Sequence, residues 1–404
     1  MRKAKPQIGL VLAKTPGYSE TFFNSKIHGL MEKGYTVKVF INKKVYTPYP
    51  KNWIVQSQPQ IQGPLILLIP RILLKILGGF ILKPKNMVRF WRLEKKDQVR
   101  GIKRILHLYS NSHILMHNLA WLHFGFSTMT LGKENVAKAI GAKMVISLRG
   151  YDISVYPLKH SGCYDRLWEK VDKVHTLSDD LIQIARNFGM PSFVKWQKIP
   201  PAICLTRFQN DGKGYARLYP TIKILSVARL HWKKGLDYAL QAIQILKEHG
   251  YSIHYTIIGE GEDWEKLNYA RYQMGLEKEI SFTGKISHTK IPAYMHEHSI
   301  YLQPSVQEGF CNSVLEAQAA GMLCIVTNAE GLTENIVDEK SGWIVPRRDP
   351  EAIAEKIMAL RSTPVEELTQ IRAAAIKRVA DAFSLTHQIE KFIAFYQTPA
   401  QQHG

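Results

Sequence analysis

IKILSVARLHWKKGLDYALQAI, residues 222–243, is the stretch on which the fold turns. Its apolar run 222–228 reads as a strand buried on both faces, the pattern of a parallel sheet. Arg229 ends that strand, Lys234 follows in a turn closed by Gly235, and a helix begins. The rhythm restarts downstream at IHYTIIG (253–259), EISFTG (279–284), IYLQPS (300–305) and MLCIVT (322–327). Upstream, IGLVLA (8–13) predicts a strand, 19–33 a helix capped by Ser19, and YTVKVFI (35–41) a second strand. Apolar runs at HILMHN (113–118), KMVISL (143–148) and DKVHTL (172–177) continue the series. Pro200, Pro201, Gly212, Gly214 and Pro220 mark 200–222 as a linker. The expectation is two doubly wound α/β domains in tandem, with a ligand cleft outside the carboxyl ends of their strands.

A chain of 404 residues, 45% hydrophobic, has enough apolar mass for two cores, which excludes disorder as the main state. The four cysteines, Cys163, Cys204, Cys311 and Cys324, are far apart and form no CxxC pair. Neither a disulfide framework nor a zinc site is supported, and a reducing compartment fits. The apolar run 8–13 is too short for a signal-peptide core, so a cytoplasmic location is expected.

The net charge of +20 is unevenly spread. Residues 1–205 carry 32 Lys and Arg against 11 Asp and Glu, a net of +21, and the remainder is close to neutral. That half is expected to face something anionic. The most apolar window, LILLIPRILLKILGGFIL (65–82), is interrupted by Arg71 and Lys75, which argues against a membrane-spanning helix. Lys85, Arg89, Arg92, Lys96 and Arg100 then form a basic stripe at helical spacing, with Phe80, Met87, Val88, Phe90 and Trp91 off it. Segment 61–104 therefore reads as a helix lying in the interface of an anionic membrane, its aromatics toward the acyl chains. The competing reading is an internal helical hairpin with a charged rim. Nucleic acid fits less well, because apolar bulk has no use on a phosphate backbone.

The chemistry concentrates in the second half. PSVQEGFCNSVLE (304–316) follows a strand, turns at Gly309 and starts a helix near Asn312, leaving first-turn amides free to meet a phosphate. Arg229 and Lys234 can hold a diphosphate as a planar fork and a point charge. Glu308 and Glu316 can accept hydrogen bonds from sugar hydroxyls, although Glu316 alone would also suit a helix dipole. The spacing of Glu308 and Glu316, with Arg229 and Lys234 about eighty residues earlier in the sequence, resembles the nucleotide-binding domain of retaining glycosyltransferases of family four. The likeness runs in order through SVARLHWKKGLDYALQAI, IIGEGEDWEKL, FTGKIS, LQPSVQEGFCNSVLEAQAAG and EGLTENIVDEKSGWIVPRRDPEAIAEKI. More loosely, GYSETFFNSKIHGLMEKGYTVKVF (17–40), WLHFGF (121–126) and SLRGYDIS (147–154) resemble the first domain of these enzymes, with Arg149 where many relatives carry histidine. The pairing of RGYD with EGFCNSVLEAQAAG is similar to enzymes of bacterial surface-polysaccharide and colanic-acid assembly.

The resemblance implies a GT-B architecture, two Rossmann-like domains facing across a cleft. Residues 1–205 would bind the acceptor, 206–382 the nucleotide sugar, and 383–404 would be a helix crossing back to the first domain. It implies a hexosyltransferase that moves a sugar from a nucleoside diphosphate sugar to a glycan or lipid-linked acceptor. Arg229 and Lys234 would neutralise the departing diphosphate, Glu308 would position the donor sugar, Glu316 would hold the ribose, and His123 would be a catalytic group on the acceptor side. Gly17, Arg149, Gly309, Phe310, Asn312, Val314 and Leu315 would line the donor and nucleotide. No Asp-x-Asp pair is placed to carry a metal, so no metal or other cofactor is expected. A sugar-nucleotide epimerase or a phosphorylase would share such a scaffold. A basic nucleic-acid-binding protein would leave the glutamates and the paired cations unused.

Overall fold

The computed structural model describes residues 5–16, 21–42, 49–210 and 214–398. The chain divides into two compact units, residues 1–199 with 389–404, and residues 200–388. The first is built on a seven-stranded sheet of β1 (Gln7–Leu12), β2 (Thr36–Ile41), β3 (Ile54–Ser57), β4 (Trp121–Phe124), β5 (Lys143–Leu148), β6 (Lys173–Thr176) and β7 (Trp196–Lys198). Their order is β3-β2-β1-β4-β5-β6-β7, and every pairing is parallel. The order reverses between β1 and β4, so a crevice opens beyond their carboxyl ends.

The helices that matter here are α1 (Thr21–Glu32), α2 (Leu65–Leu82), α3 (Pro84–Lys96) and α4 (Gly101–Leu115). HILMHN is not a strand. Its first three residues end α4, and the strand is the following WLHF. A short apolar run fits either period, and here the carboxyl-terminal half of the helix, Leu108 to Leu115, is buried on every side. Ser19, read as a helix cap, and Gly17 lie outside the described residues.

In the second unit β8 (Ile222–Val227), β9 (Ile253–Ile258), β10 (Ile280–Gly284), β11 (Ile300–Gln303), β12 (Leu323–Thr327) and β13 (Trp343–Val345) form a parallel sheet ordered β10-β9-β8-β11-β12-β13. Its switch point lies between β8 and β11. Helix α5 (Leu236–Glu248) follows β8, and α6 (Asn312–Ala319) follows β11. Ile224, Ile257, Leu302 and Ile325 from four adjacent strands are buried in one core with Leu240 and Ile243 of α5.

The stretch read as a linker belongs to this unit. Ile203 bridges to Ser384, and Arg372 donates to the Ala216 carbonyl and stacks on Tyr215 at 4.8 Å. The chain returns to the first unit through α7 (Leu385–Gln397), whose Phe392, Phe395 and Tyr396 are buried with Ile8, Leu10, Phe23 and Val145. The divisions fall at Ile199/Pro200 and Gln388/Ile389, against 205/206 and 382/383 from the sequence. Both flanks stay with the second unit because Ile203 pairs with Ser384 and the neighbouring Phe383 ring lies 5.7 Å from Phe310.

Candidate functional site

At the second switch point two loops lock together. Val306 donates its backbone N–H to the Lys233 carbonyl at 2.7 Å, joining the loop after β11 to the turn after β8. Gly235, at φ +59°, has no room for a side chain, since a Cβ there would lie 2.1 Å from the Pro304 carbonyl oxygen. Gly261 is as tightly placed: its Cβ would meet the Leu230 carbonyl at 2.0 Å. These close approaches fix the cations. Lys234 forms an ion pair with Glu308, both largely shielded from water, while Arg229 is exposed at the end of β8. Burial works against the Lys234 charge, but the Glu308 carboxylate outweighs it and holds the ammonium above the usual lysine range.

Helix α6 begins beside these groups. Ser313 in its first turn donates to the Val227 carbonyl at 3.1 Å, and the Tyr301 hydroxyl lies 2.7 Å from Ser313 Oγ. The helix N-terminus is thereby tied to the carboxyl end of β8. Asn335 accepts from the Cys311 N–H at 3.1 Å and donates to its carbonyl at 2.8 Å, bracing the residue before the helix. Gly309 and Phe310 are buried, with Phe310 5.7 Å from the Phe383 ring. Val314 and Leu315, read as nucleotide contacts, have fully buried side chains, so only their backbones are available to a ligand. Asn312 is half-buried at the helix start. Glu316 is 8% exposed and lies 3.0 Å from His288 Nε2, whose Nδ1 meets Arg207 at 2.8 Å. Neither His288 nor Arg207 is marked by the sequence motif. Their contact depends on a loop and a segment brought together only by folding.

In the first unit Arg149 follows β5. Its Nε donates to the Gly125 carbonyl at 3.0 Å, and its guanidinium lies 4.0 Å from the Phe22 ring and 4.5 Å from Phe23. Asp152 accepts from the Ser127 and Arg149 amides, which shapes the loop, while burial raises its carboxyl above the ordinary range. His123, read as an acceptor-side catalytic group, has no exposed surface. The burial has a clear cause: β4 is central in the sheet and His123 packs against α7. Its Nδ1 is 2.5 Å from the Tyr396 hydroxyl and 3.1 Å from Lys26 Nζ. Its Nε2 is 2.7 Å from Ser147 Oγ, which is 2.7 Å from His175 Nδ1.

The Ile199 carbonyl, which can only accept, takes the His175 Nε2 proton at 2.9 Å. His175 Nδ1 must then accept from Ser147, Ser147 from His123 Nε2, and His123 Nδ1 from Tyr396. Both histidines are neutral in this chain, in keeping with burial and the nearby Lys26 charge pushing their pKa values well down. Lys26 itself is 2% exposed, and burial lowers its pKa too. The sequence carried one unused signal for it: Lys26 falls three residues after Phe23 and one before Ile27, on the apolar face of α1.

Two doubly wound parallel sheets in tandem define the GT-B class of glycosyltransferase folds. Residues 217–378 match the family model described as glycosyl transferases group 1. WcaL of Escherichia coli K12, named as a colanic acid biosynthesis glycosyltransferase, is 30% identical over 274 residues, about two thirds of each chain (65% and 66%). The WcaL of Salmonella typhimurium is 25% identical over 94% of this chain and 96% of that protein. AmsK of Erwinia amylovora, named for amylovoran biosynthesis, is 28% identical over 76% and 75%. Among solved structures, HepE of Anabaena in complex with UDP covers 97% of this chain and 99% of its own, with a TM-score of 0.72 at 13% identity. Sucrose-phosphate synthase of Thermosynechococcus elongatus covers 97% and 98%, also at 0.72, with 15% identity. Residues 217–378 are a group 1 glycosyltransferase domain, and the protein is a glycosyltransferase.

Proposed function

We propose that the protein is a retaining glycosyltransferase that transfers a sugar from a nucleoside diphosphate sugar to a lipid-linked glycan in surface-polysaccharide assembly. The observation that carries the reading is the Lys234–Glu308 ion pair held at the start of α6, beside exposed Arg229 at the sheet's switch point. A diphosphate seated there meets a fixed ammonium, an exposed guanidinium and a helix N-terminus. Arg229 and Lys234 offset the charge that develops on the leaving diphosphate, in the role a metal ion plays elsewhere, so turnover is metal-independent. Glu308 orients the donor sugar and Glu316, steadied by His288, holds the ribose. Arg149 guards the donor side of the first domain, and His123 acts as a positioning residue through Ser147 and Tyr396. The UDP bound by the HepE structure and the polysaccharide names of WcaL and AmsK support the donor class and the pathway.

The enzyme works on the inner face of the cell membrane as a peripheral protein. Helix α2 supports this reading: Ile66 is 79% exposed, Leu65 and Leu74 71%, and Leu82 72%. The helix is long and apolar enough to cross a membrane by length and composition. With Arg71 and Lys75 near its middle and α3 and α4 packed along it, it instead lies in the interface. The aromatics of α3 play another part than the sequence suggested. Phe90 and Met87 are fully buried, and Trp91 lies under Arg104 at 4.6 Å, because the apolar face of α3 is spent on α4 and its neighbours. Lipid contact therefore falls to α2, with the exposed stripe Lys85, Arg89, Arg92 and Lys96 as its electrostatic complement.

The test is kinetic. Arg229→Ala and Lys234→Ala should each lower turnover by about 100- to 1,000-fold, the loss of a charge-assisted contact made in the transition state. Glu316→Ala should act chiefly on nucleotide affinity. Folded variants that transfer sugar at the wild-type rate would remove the donor-site assignment.

A further inference from the structure

A groove of about 830 Å³ runs between α2 and the segment 57–60. On the helix side it is lined by Leu67, Pro70, Arg71, Leu74 and Lys75. These five recur at intervals of three and four, so they form a single face of α2, with the two cations one turn apart among apolar neighbours. Tyr109 of α4 lines the floor and donates its hydroxyl to the Gln60 carbonyl at 3.0 Å, holding the opposite wall in place.

Two features make this a site built for an anion on an apolar chain. No Asp or Glu lines the groove, so the charges of Arg71 and Lys75 have no acidic counterpart there. In addition, Leu67, Pro70 and Leu74 put apolar surface on the same face as the two cations.

We infer that this groove seats the phosphate of a membrane lipid phosphate, held between Arg71 and Lys75, with its hydrocarbon chain along Leu67, Pro70 and Leu74. The inference rests on the peripheral-membrane, lipid-linked-acceptor reading above and names the part of the chain that would hold the acceptor's lipid end. The exposed leucines and isoleucines of α2 continue the apolar face out of the groove, which gives the chain a path into the bilayer.

The experiment is calorimetric titration of the full chain with dodecyl phosphate below its micelle concentration, with dodecanol and with inorganic phosphate. Wild type should bind dodecyl phosphate at least tenfold more tightly than either, since both halves of the ligand are recognised. The R71Q/K75Q double variant should lose that preference, and Leu74→Trp, which fills the groove and keeps both cations, should weaken binding as well. Arg71 and Lys75 are exposed, so the double variant should melt as wild type does. The K85Q/R89Q/R92Q/K96Q variant should keep the preference. A wild-type preference below twofold, or a double variant that binds as wild type does, overturns the proposal. Flotation on anionic vesicles across a salt series reads the membrane assignment separately. Wild type should float at low salt and the quadruple variant should not. Absence of flotation with the dodecyl phosphate preference intact removes the membrane assignment and leaves the groove standing.

Discussion

Lys234 keeps its charge where burial opposes it, because Glu308 is held against it by two loops that glycine alone allows to touch. With its folded pKa raised, the pair's stabilisation is complete below the unfolded lysine value and fades only as pH rises through the folded one. The buried histidines work in the opposite sense. His123 and His175 have pKa values well below normal, and His113 is pushed down to about 3, in each case chiefly by burial. Their unfolded forms take up protons below about pH 6.5 while the folded forms do not, so stability falls on acidification by roughly 1.4 kcal/mol per pH unit for each histidine. Thermal unfolding followed from pH 7.5 to 5.5 should show the melting temperature falling, with a shallower slope in a His113→Phe variant. A flat profile would contradict the neutral assignment. Which residues could be read in advance follows from how far apart their partners lie. Arg229, Lys234, Glu308 and Glu316 stand in local strand–turn–helix units, so their spacing carries the signal. Lys26 and His123 are 97 residues apart and His123 and Tyr396 273, and no local pattern encodes such a contact.

At the scale of elements, parallel strands buried on both faces were legible as apolar runs, and β8, β9, β11 and β12 fall within a residue or two of their sequence positions. Among the edge strands β10 was read at EISFTG, but β3, β7 and β13 were not. Ile54–Ser57 is half-exposed and contains two polar residues, so its pattern is too weak to read. HILMHN failed because helix and strand share a short apolar signature. Helix α7 presents the clearest energetic test of an element. Phe392 is 2% exposed in the first domain's core, under Lys26 Nζ at 4.0 Å and 5.0 Å from the His175 ring. Phe392→Ala should cost about 3 to 5 kcal/mol. By differential scanning calorimetry the first domain's transition should drop while the second domain's stays in place. A single unchanged trace would show that α7 adds nothing to the first domain.

For the whole molecule, charge and chemistry are divided between the two halves. Residues 1–205 hold the entire positive excess together with α2 and its groove, and the second domain, near neutral overall, holds the cation pair, the two glutamates and the helix N-terminus. This division follows from the two tasks proposed: attraction to an anionic surface needs net charge over a wide area, whereas a diphosphate needs only a few groups in fixed positions. Composition revealed the first and motif spacing the second. Neither specifies the donor's base or sugar, and contacts such as His288 to Glu316 arise only in the folded chain. The most direct test of the account is therefore to incubate the purified full-length protein, without acceptor and in excess chelator, with a panel of radiolabelled nucleoside diphosphate sugars. The account predicts slow release of free sugar from one donor, undiminished by chelator, with the released sugar keeping the anomeric configuration of its donor. Release from none of the panel, or release that stops when metal is removed, would contradict it.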